Sequence, residues 1–236
     1  MNFIKNSVRQ LFNAVGFDLH RSNSRQLSRA LNQFGVDLVL DVGANVGQFA
    51  SGLRSAGYQG EIVSFEPLSF AWQTLEDAAS HDARWQVHLR SAIGDHDGEC
   101  MINIAGNSVS SSVLPMMESH SSAAEGSAYV GSEPVPIFKL DSVAPKYLEN
   151  AHRPFLKIDT QGFEWQVLDG ARETLPLVQG ILCELSLVPL YESQRLWMDI
   201  IRRLENDGFA LWSIQRGFTD SRDGRLLQID ATFFRN

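Results

Sequence analysis

Val36-Asp37-Leu38-Val39-Leu40-Asp41-Val42-Gly43-Ala44-Asn45-Val46-Gly47-Gln48 runs from apolar residues to an acidic one, then through two glycines into a helical pattern. A buried strand, a tight glycine turn and a helix N-terminus in that order form the opening unit of a doubly wound α/β domain. The glycines let the backbone turn sharply and let a ligand lie against it with no Cβ in the way.

Asp41 bears on the charge of that ligand. A dinucleotide puts its pyrophosphate at this helix N-terminus, and a carboxylate closing the strand repels it. The spacing here is also Gly-x-Asn-x-Gly, not Gly-x-Gly-x-x-Gly. A ligand with a cationic amino-acid head suits the carboxylate better, and S-adenosylmethionine carries both an ammonium and a sulfonium.

Working outward, the pattern alternates. Strand 36–42 is followed by a helix over 47–56, strand 61–66 by a helix over 69–80, and strand 85–90 by a short strand over 101–104. After a pause, an apolar stretch at 135–140 precedes a short helix capped by Asp141. Strand 155–158 then leads into a helix over 163–175, and strand 181–185 into a helix over 194–206. Strands at 209–214 and 226–234 close the chain as an antiparallel pair. Strands alternating with helices predict a mainly parallel sheet covered on both faces. Residues 105–133 break the rhythm with Ser, Gly, Ala and Asn, and are read as a substrate-side lid or insertion.

The N-terminal 35 residues read as a helical extension. Residues 1–20 form an amphipathic pattern with Lys5 and Arg9 interleaved, and a second helix over 24–34 is basic through Arg25 and Arg29. The extension either packs on the domain edge or approaches an anionic membrane carrying a lipid-linked substrate.

The chain of 236 residues is 44% hydrophobic and 20% charged, which suits one globular domain, residues 36–236, beside that extension. Its formal charge of −8 argues against a nucleic-acid binder. Cys100 and Cys183 are read as reduced, and no apolar run reaches the ~18 residues of a membrane span. No apolar core of a signal peptide is visible at the N-terminus. A cytoplasmic setting is therefore expected, with the inner face of the membrane as its variant.

Asp41, Glu66, Asp159 and Glu184 each end, or nearly end, a predicted strand, where doubly wound sheets bind ligands. Glu66 stands near the offset at which a carboxylate takes ribose hydroxyls, and Ser91 and Ala92 fall where an adenine edge lies. These residues sit in blocks. Asp41-Val-Gly-Ala-Asn-Val-Gly-Gln48, Ser64-Phe-Glu-Pro67, Ala92-Ile-Gly-Asp95, Leu156-Lys-Ile-Asp-Thr-Gln-Gly-Phe-Glu164 and Leu168-Asp-Gly-Ala171 resemble the signature blocks of the FkbM-type S-adenosylmethionine-dependent methyltransferases. The resemblance spans about residues 36–235. It implies a class I (Rossmann-like) seven-stranded sheet with one antiparallel strand inserted, and methyl transfer to a sugar or polyketide oxygen. It further implies that Gly43, Ala44, Asn45 and Gly47 shape the turn around the methionine part, that Glu66 beside Pro67 holds the ribose, and that Ser91 and Ala92 border the adenine.

Methyl transfer is an in-line displacement, and a sugar hydroxyl attacks poorly until its proton leaves. Asp159 is the first candidate for base or orienting group, with Glu184, Glu164 and His120 after it. Glu164 alternatively steadies its helix N-terminus. Asp159 and Glu184 could share a Mg²⁺, while the scattered histidines make zinc improbable. Trp197 or Tyr191 could stack on a sugar ring. The acceptor is expected to be a small-molecule or lipid-linked glycan, with no preference between monomer and dimer. A nicotinamide-dependent oxidoreductase and a non-catalytic binding module stay open as alternatives.

Overall fold

The computed structural model describes residues 21–235. The amphipathic reading of residues 1–20 therefore lies outside the described residues. A helix, α1 (Arg21–Gln33), leads into β1 (Leu38–Val42), whose five residues are all buried. There follow α2 (Gln48–Ser55), β2 (Glu61–Phe65), α3 (Ser69–Ala79) and β3 (Trp85–Val87). Then come β4 (Ala92–Gly94), β5 (Gly98–Ala105), α4 (Glu118–Ser121), β6 (Tyr129–Lys139), α5 (Leu140–Val143) and α6 (Pro145–Leu148). The second half holds β7 (Pro154–Ile158), α7 (Glu164–Asp169), β8 (Gly180–Ser186), α8 (Trp197–Asn206), β9 (Ala210–Arg216) and β10 (Gln228–Phe234).

Seven strands form one sheet in the order β3-β2-β1-β7-β8-β10-β9. Pairings through β8 are parallel, and β10 runs antiparallel to both β8 and β9. This is the class I methyltransferase sheet that the blocks imply. Alternation within the buried strands sends side chains to two cores. Leu38, Leu40, Val42, Leu156 and Ile158 pack with α5, α7 and α8, while Val39, Ile62 and Phe155 meet α1, α2 and α3. The order reverses between β1 and β7, so their carboxyl ends open the crevice where such sheets hold ligands.

The structure departs from the sequence expectations in several places. A second sheet, β4-β6-β5, is present, with β4 parallel and β5 antiparallel to β6. The irregular segment thus ends at Tyr129, not at 133, and the third predicted strand stops at Val87. The predicted helix 163–175 ends at Asp169, because Gly170 packs on β4: a Cβ there would lie 1.9 Å from the Gly94 carbonyl oxygen. Asp141 lies within α5 and does not cap it. Its carboxylate accepts from the backbone N–H groups of Glu173 and Thr174 and from the Thr174 hydroxyl.

Candidate active site

The turn after β1 is held on both sides. Gly43 and Ala44 donate to the Phe65 carbonyl at 3.1 and 3.0 Å, and Gly43 has φ 76°. A Cβ on Gly43 would stand 1.8 Å from the Asp159 carbonyl oxygen, so only glycine lets the β1 and β7 loops touch. Asn45 takes φ 47°, and its backbone N–H donates to Glu66 Oε2 at 2.7 Å. Gly47, with φ 84°, serves the packing of the domain, since a Cβ there would meet Trp85 and Leu75 below 3 Å. It is not among the residues that line the cleft above this turn.

A cleft of about 880 Å³, the open space at its mouth included, lies over these loops. One wall is Val42–Asn45 with Gln48 and Phe49, another Phe65–Leu68 with Ser91 and Ala92. Lys157, Asp159, Thr160, Gln161 and Glu184 form the floor, and Ser108, Val109, Ser111, Ser112 and Val113 close the far side. Of the sequence candidates, the structure brings Gly43, Ala44, Asn45, Glu66, Pro67, Ser91, Ala92, Asp159 and Glu184 together. Glu66 accepts from Leu68 N–H at 2.9 Å as well as from Asn45, yet burial dominates and pushes its carboxyl up to about 7.

Asp41 is the first correction. It is fully buried and stands below the cleft, where Lys157 Nζ lies 3.1 Å from its Oδ1 and Ser64 donates to Oδ2 at 3.1 Å. Its charge is matched by the Lys157 ammonium beneath the cleft. Lys157 was missed from sequence. Its ammonium donates to the carbonyls of Val42 and Gly43 at 3.3 and 2.6 Å and lies 3.6 Å from Asp159 Oδ2. The attraction of these anions outweighs burial and holds its pKa above the ordinary lysine value. The signal was present: Asp41 and Lys157 are register partners on adjacent apolar strands, with Ser64 opposite Asp41 on the other side.

Glu164 is the second. It is 3% exposed, accepts from the N–H groups of Thr160 and Gly162 at 3.0 Å each, and does not reach the cleft. It fixes the turn that carries Asp159, and burial raises its carboxyl to about 7. His120 is the third. Instead of standing in an open loop it is 2% exposed, packed against Tyr191 and Phe218, with Nε2 3.0 Å from the Ser110 hydroxyl. Burial lowers its pKa to about 4, and it stands behind the loop wall. Tyr191, likewise buried, is no stacking platform, and Trp197 packs half-buried on the core.

Asp159 and Glu184 share one neighbour that sequence reasoning missed. Gln161, itself at φ 54°, donates through Nε2 to Asp159 Oδ1 at 2.8 Å and to Glu184 Oε2 at 2.7 Å. Gln228 from β10 donates to the same Glu184 oxygen at 2.7 Å. Burial first, then the anions Asp159, Asp230 and Glu164, push the Glu184 carboxyl well above the usual range. Among the described residues, no three His, Cys, Asp or Glu side chains are grouped to hold a metal ion. The place between Asp159 and Glu184 that a shared Mg²⁺ would take belongs to an amide nitrogen.

The model of the FkbM methyltransferase domain matches residues 41–211. The chain belongs to the FkbM methyltransferase family. It is therefore a methyltransferase, which sets aside the oxidoreductase and the non-catalytic module. No curated protein matches the chain. Among solved structures it is similar to magnesium protoporphyrin IX methyltransferase from Synechocystis PCC 6803, with 13% identity over 100% of this chain and 85% of that one (TM-score 0.49). A TehB-like methyltransferase from Corynebacterium glutamicum gives 12% identity over 98% and 97% of the two chains (TM-score 0.45). The mitomycin 7-O-methyltransferase MmcR gives 10% over 98% and 58% (TM-score 0.47). No described helix of this FkbM-family methyltransferase is long and apolar enough to cross a membrane.

Proposed function

We propose that this methyltransferase draws its methyl group from S-adenosylmethionine and passes it to a hydroxyl of a sugar, glycolipid or related secondary metabolite. One observation carries the reading: the cleft is lined by Glu66, Asp159 and Glu184 with Lys157 as the opposing charge. Such a lining offers carboxyl oxygens to ribose hydroxyls and an ammonium, and its one cation is already paired with Asp41 and Asp159, which leaves a pyrophosphate without a counter-charge.

The residues divide the work. Gly43, Ala44 and Asn45 offer a turn against which the methionine part lies without steric hindrance. Glu66 accepts from the ribose hydroxyls, Pro67 stands beside it, and Ser91 and Ala92 border the adenine. S-adenosylmethionine, when bound, supplies an electrophilic methyl carbon on sulfur. Asp159 and Glu184, on the floor, orient the acceptor hydroxyl and take its proton. Residues 105–133, as a lid, close over the acceptor, and residues 1–20 bring a lipid-linked acceptor near. The protein then works in the cytoplasm, at the membrane when its acceptor is lipid-linked.

The test is a methyl-transfer assay with labelled S-adenosylmethionine against neutral glycans, glycolipids and polyketide alcohols. Label in an alkali-stable ether of one of these acceptors is expected. Label on nitrogen or on a carboxylate instead would overturn the hydroxyl reading.

A further inference from the structure

The Gln161 side chain is connected in two directions. Its Nε2 serves Asp159 and Glu184, which fixes the amide orientation, because an Oε1 turned there would face the Asp159 carboxylate and a Glu184 oxygen that already accepts from Gln228. Oε1 is therefore an acceptor, and the Tyr191 hydroxyl lies 3.0 Å from it. The same hydroxyl lies 3.0 Å from the Ser110 carbonyl, so its single proton is shared between the floor and the loop that closes the cleft. A second stitch runs from the Ser112 hydroxyl to the Gln161 backbone carbonyl at 2.7 Å. The placement demands unusual backbone: Gln161 is a non-glycine residue at φ 54°, and Gly162 at φ 96° leaves room for the Tyr191 ring, which a Cβ would meet at 2.9 Å.

We propose that Gln161 is a positioning residue that, held by Tyr191, sets the Asp159–Glu184 pair and couples it to the loop at Ser110–Leu114. The Ser110 carbonyl and Gln161 Oε1 share the one Tyr191 proton, so each holds the hydroxyl at the other's expense. A displaced loop leaves that proton to Gln161 Oε1 alone. The positioning role rests on the methyl-transfer reading above, whereas the coupling between loop and carboxylates does not. Charged and titratable groups facing the pair are Lys157 from β7, Glu164 from α7, Cys183 from β8, Tyr191 after it and Asp230 from β10.

The test is hydrogen–deuterium exchange of the Ser110–Leu114 amides in the full chain without ligand, at one pH. The variants are Tyr191→Phe, Gln161→Leu, Glu184→Gln and the double variant Glu184→Gln/Gln161→Leu. Glu184 has no bond to the loop, yet Glu184→Gln replaces one of the acceptors that orient the Gln161 amide with a side chain that can present Nε2 to it. About fivefold slower loop exchange is expected for it, the scale of one hydrogen bond, because an amide no longer held with Oε1 toward Tyr191 leaves the hydroxyl proton to the Ser110 carbonyl. Gln161→Leu should show the same, Tyr191→Phe should speed exchange by a similar factor, and Glu184→Gln should add nothing once Gln161 is Leu. Unchanged loop exchange in Glu184→Gln, or effects that multiply in the double variant, would overturn the coupling. Melting temperatures confirm that each variant is folded. In the methyl-transfer assay Tyr191→Phe should lower kcat with the S-adenosylmethionine Kd unchanged, and a Kd that rises as much as kcat falls would overturn the positioning role. Failure to bind S-adenosylmethionine at all would leave the exchange result standing and reject only the reaction.

Discussion

At Lys157 one buried ammonium meets Asp41, Asp159 and two backbone carbonyls, and this makes Asp41 a structural residue. Removing one member of a buried ion pair leaves the other uncompensated. Asp41→Ala should therefore cost about 3 kcal/mol, the lower end for such a pair because Asp159 and the carbonyls remain. Urea unfolding measures it, and a cost below about 1 kcal/mol would mean that the pair contributes little. Asp159→Asn should lower turnover far more than S-adenosylmethionine affinity; equal losses would make it a binding residue. Glu66 titrates at about 7 and must be a carboxylate to accept from ribose hydroxyls, so affinity should rise between about pH 6 and 8. Glu66→Gln should flatten that rise, and a rise that persists would remove Glu66 from the ribose. His120, held near 4, binds fewer protons folded than unfolded between its ordinary value and that one. Its contribution to stability is thus lost as pH falls from about 6.5 toward about 4. Melting temperatures of the wild type should drop more steeply over that range than those of His120→Gln, and parallel slopes would contradict it.

Among the elements, the strands were legible because each central one is a short apolar run bounded by turn residues, as in Leu38–Val42 and Pro154–Ile158. The second sheet was not. β4 has three residues, and β6 carries Gly131, Pro134 and Pro136, which interrupt the pattern by which strands are read. The short α7 was hidden for a tertiary reason, the contact of Gly170 with Gly94. In the site, the carboxylates at strand ends were legible from position, while Lys157, Gln161 and Gln228 were not, because their partners come from other strands. The same dependence marks the loop after β1. Gly43→Ala should push it off the Asp159 carbonyl, lower the melting temperature and abolish cofactor binding together. A stable Gly43→Ala variant with unchanged affinity would show that the close approach is dispensable.

For the whole molecule, the two cores build a sheet whose order reverses between β1 and β7, and the charged cleft sits at that reversal. The floor of the cleft gathers carboxylates from a chain of net charge −8, and a lysine beneath keeps them from repelling one another apart. The central claim is that this cleft takes S-adenosylmethionine. A thermal-shift titration with S-adenosylmethionine, S-adenosylhomocysteine and NAD tests it most directly. Ligand at ~100 times its dissociation constant adds roughly 2.7 kcal/mol to the folded state, a rise of roughly 5–11 °C for a chain of this size. The account predicts that rise with both adenosyl ligands and none with NAD. A rise with NAD alone, or with none of the three, would contradict it.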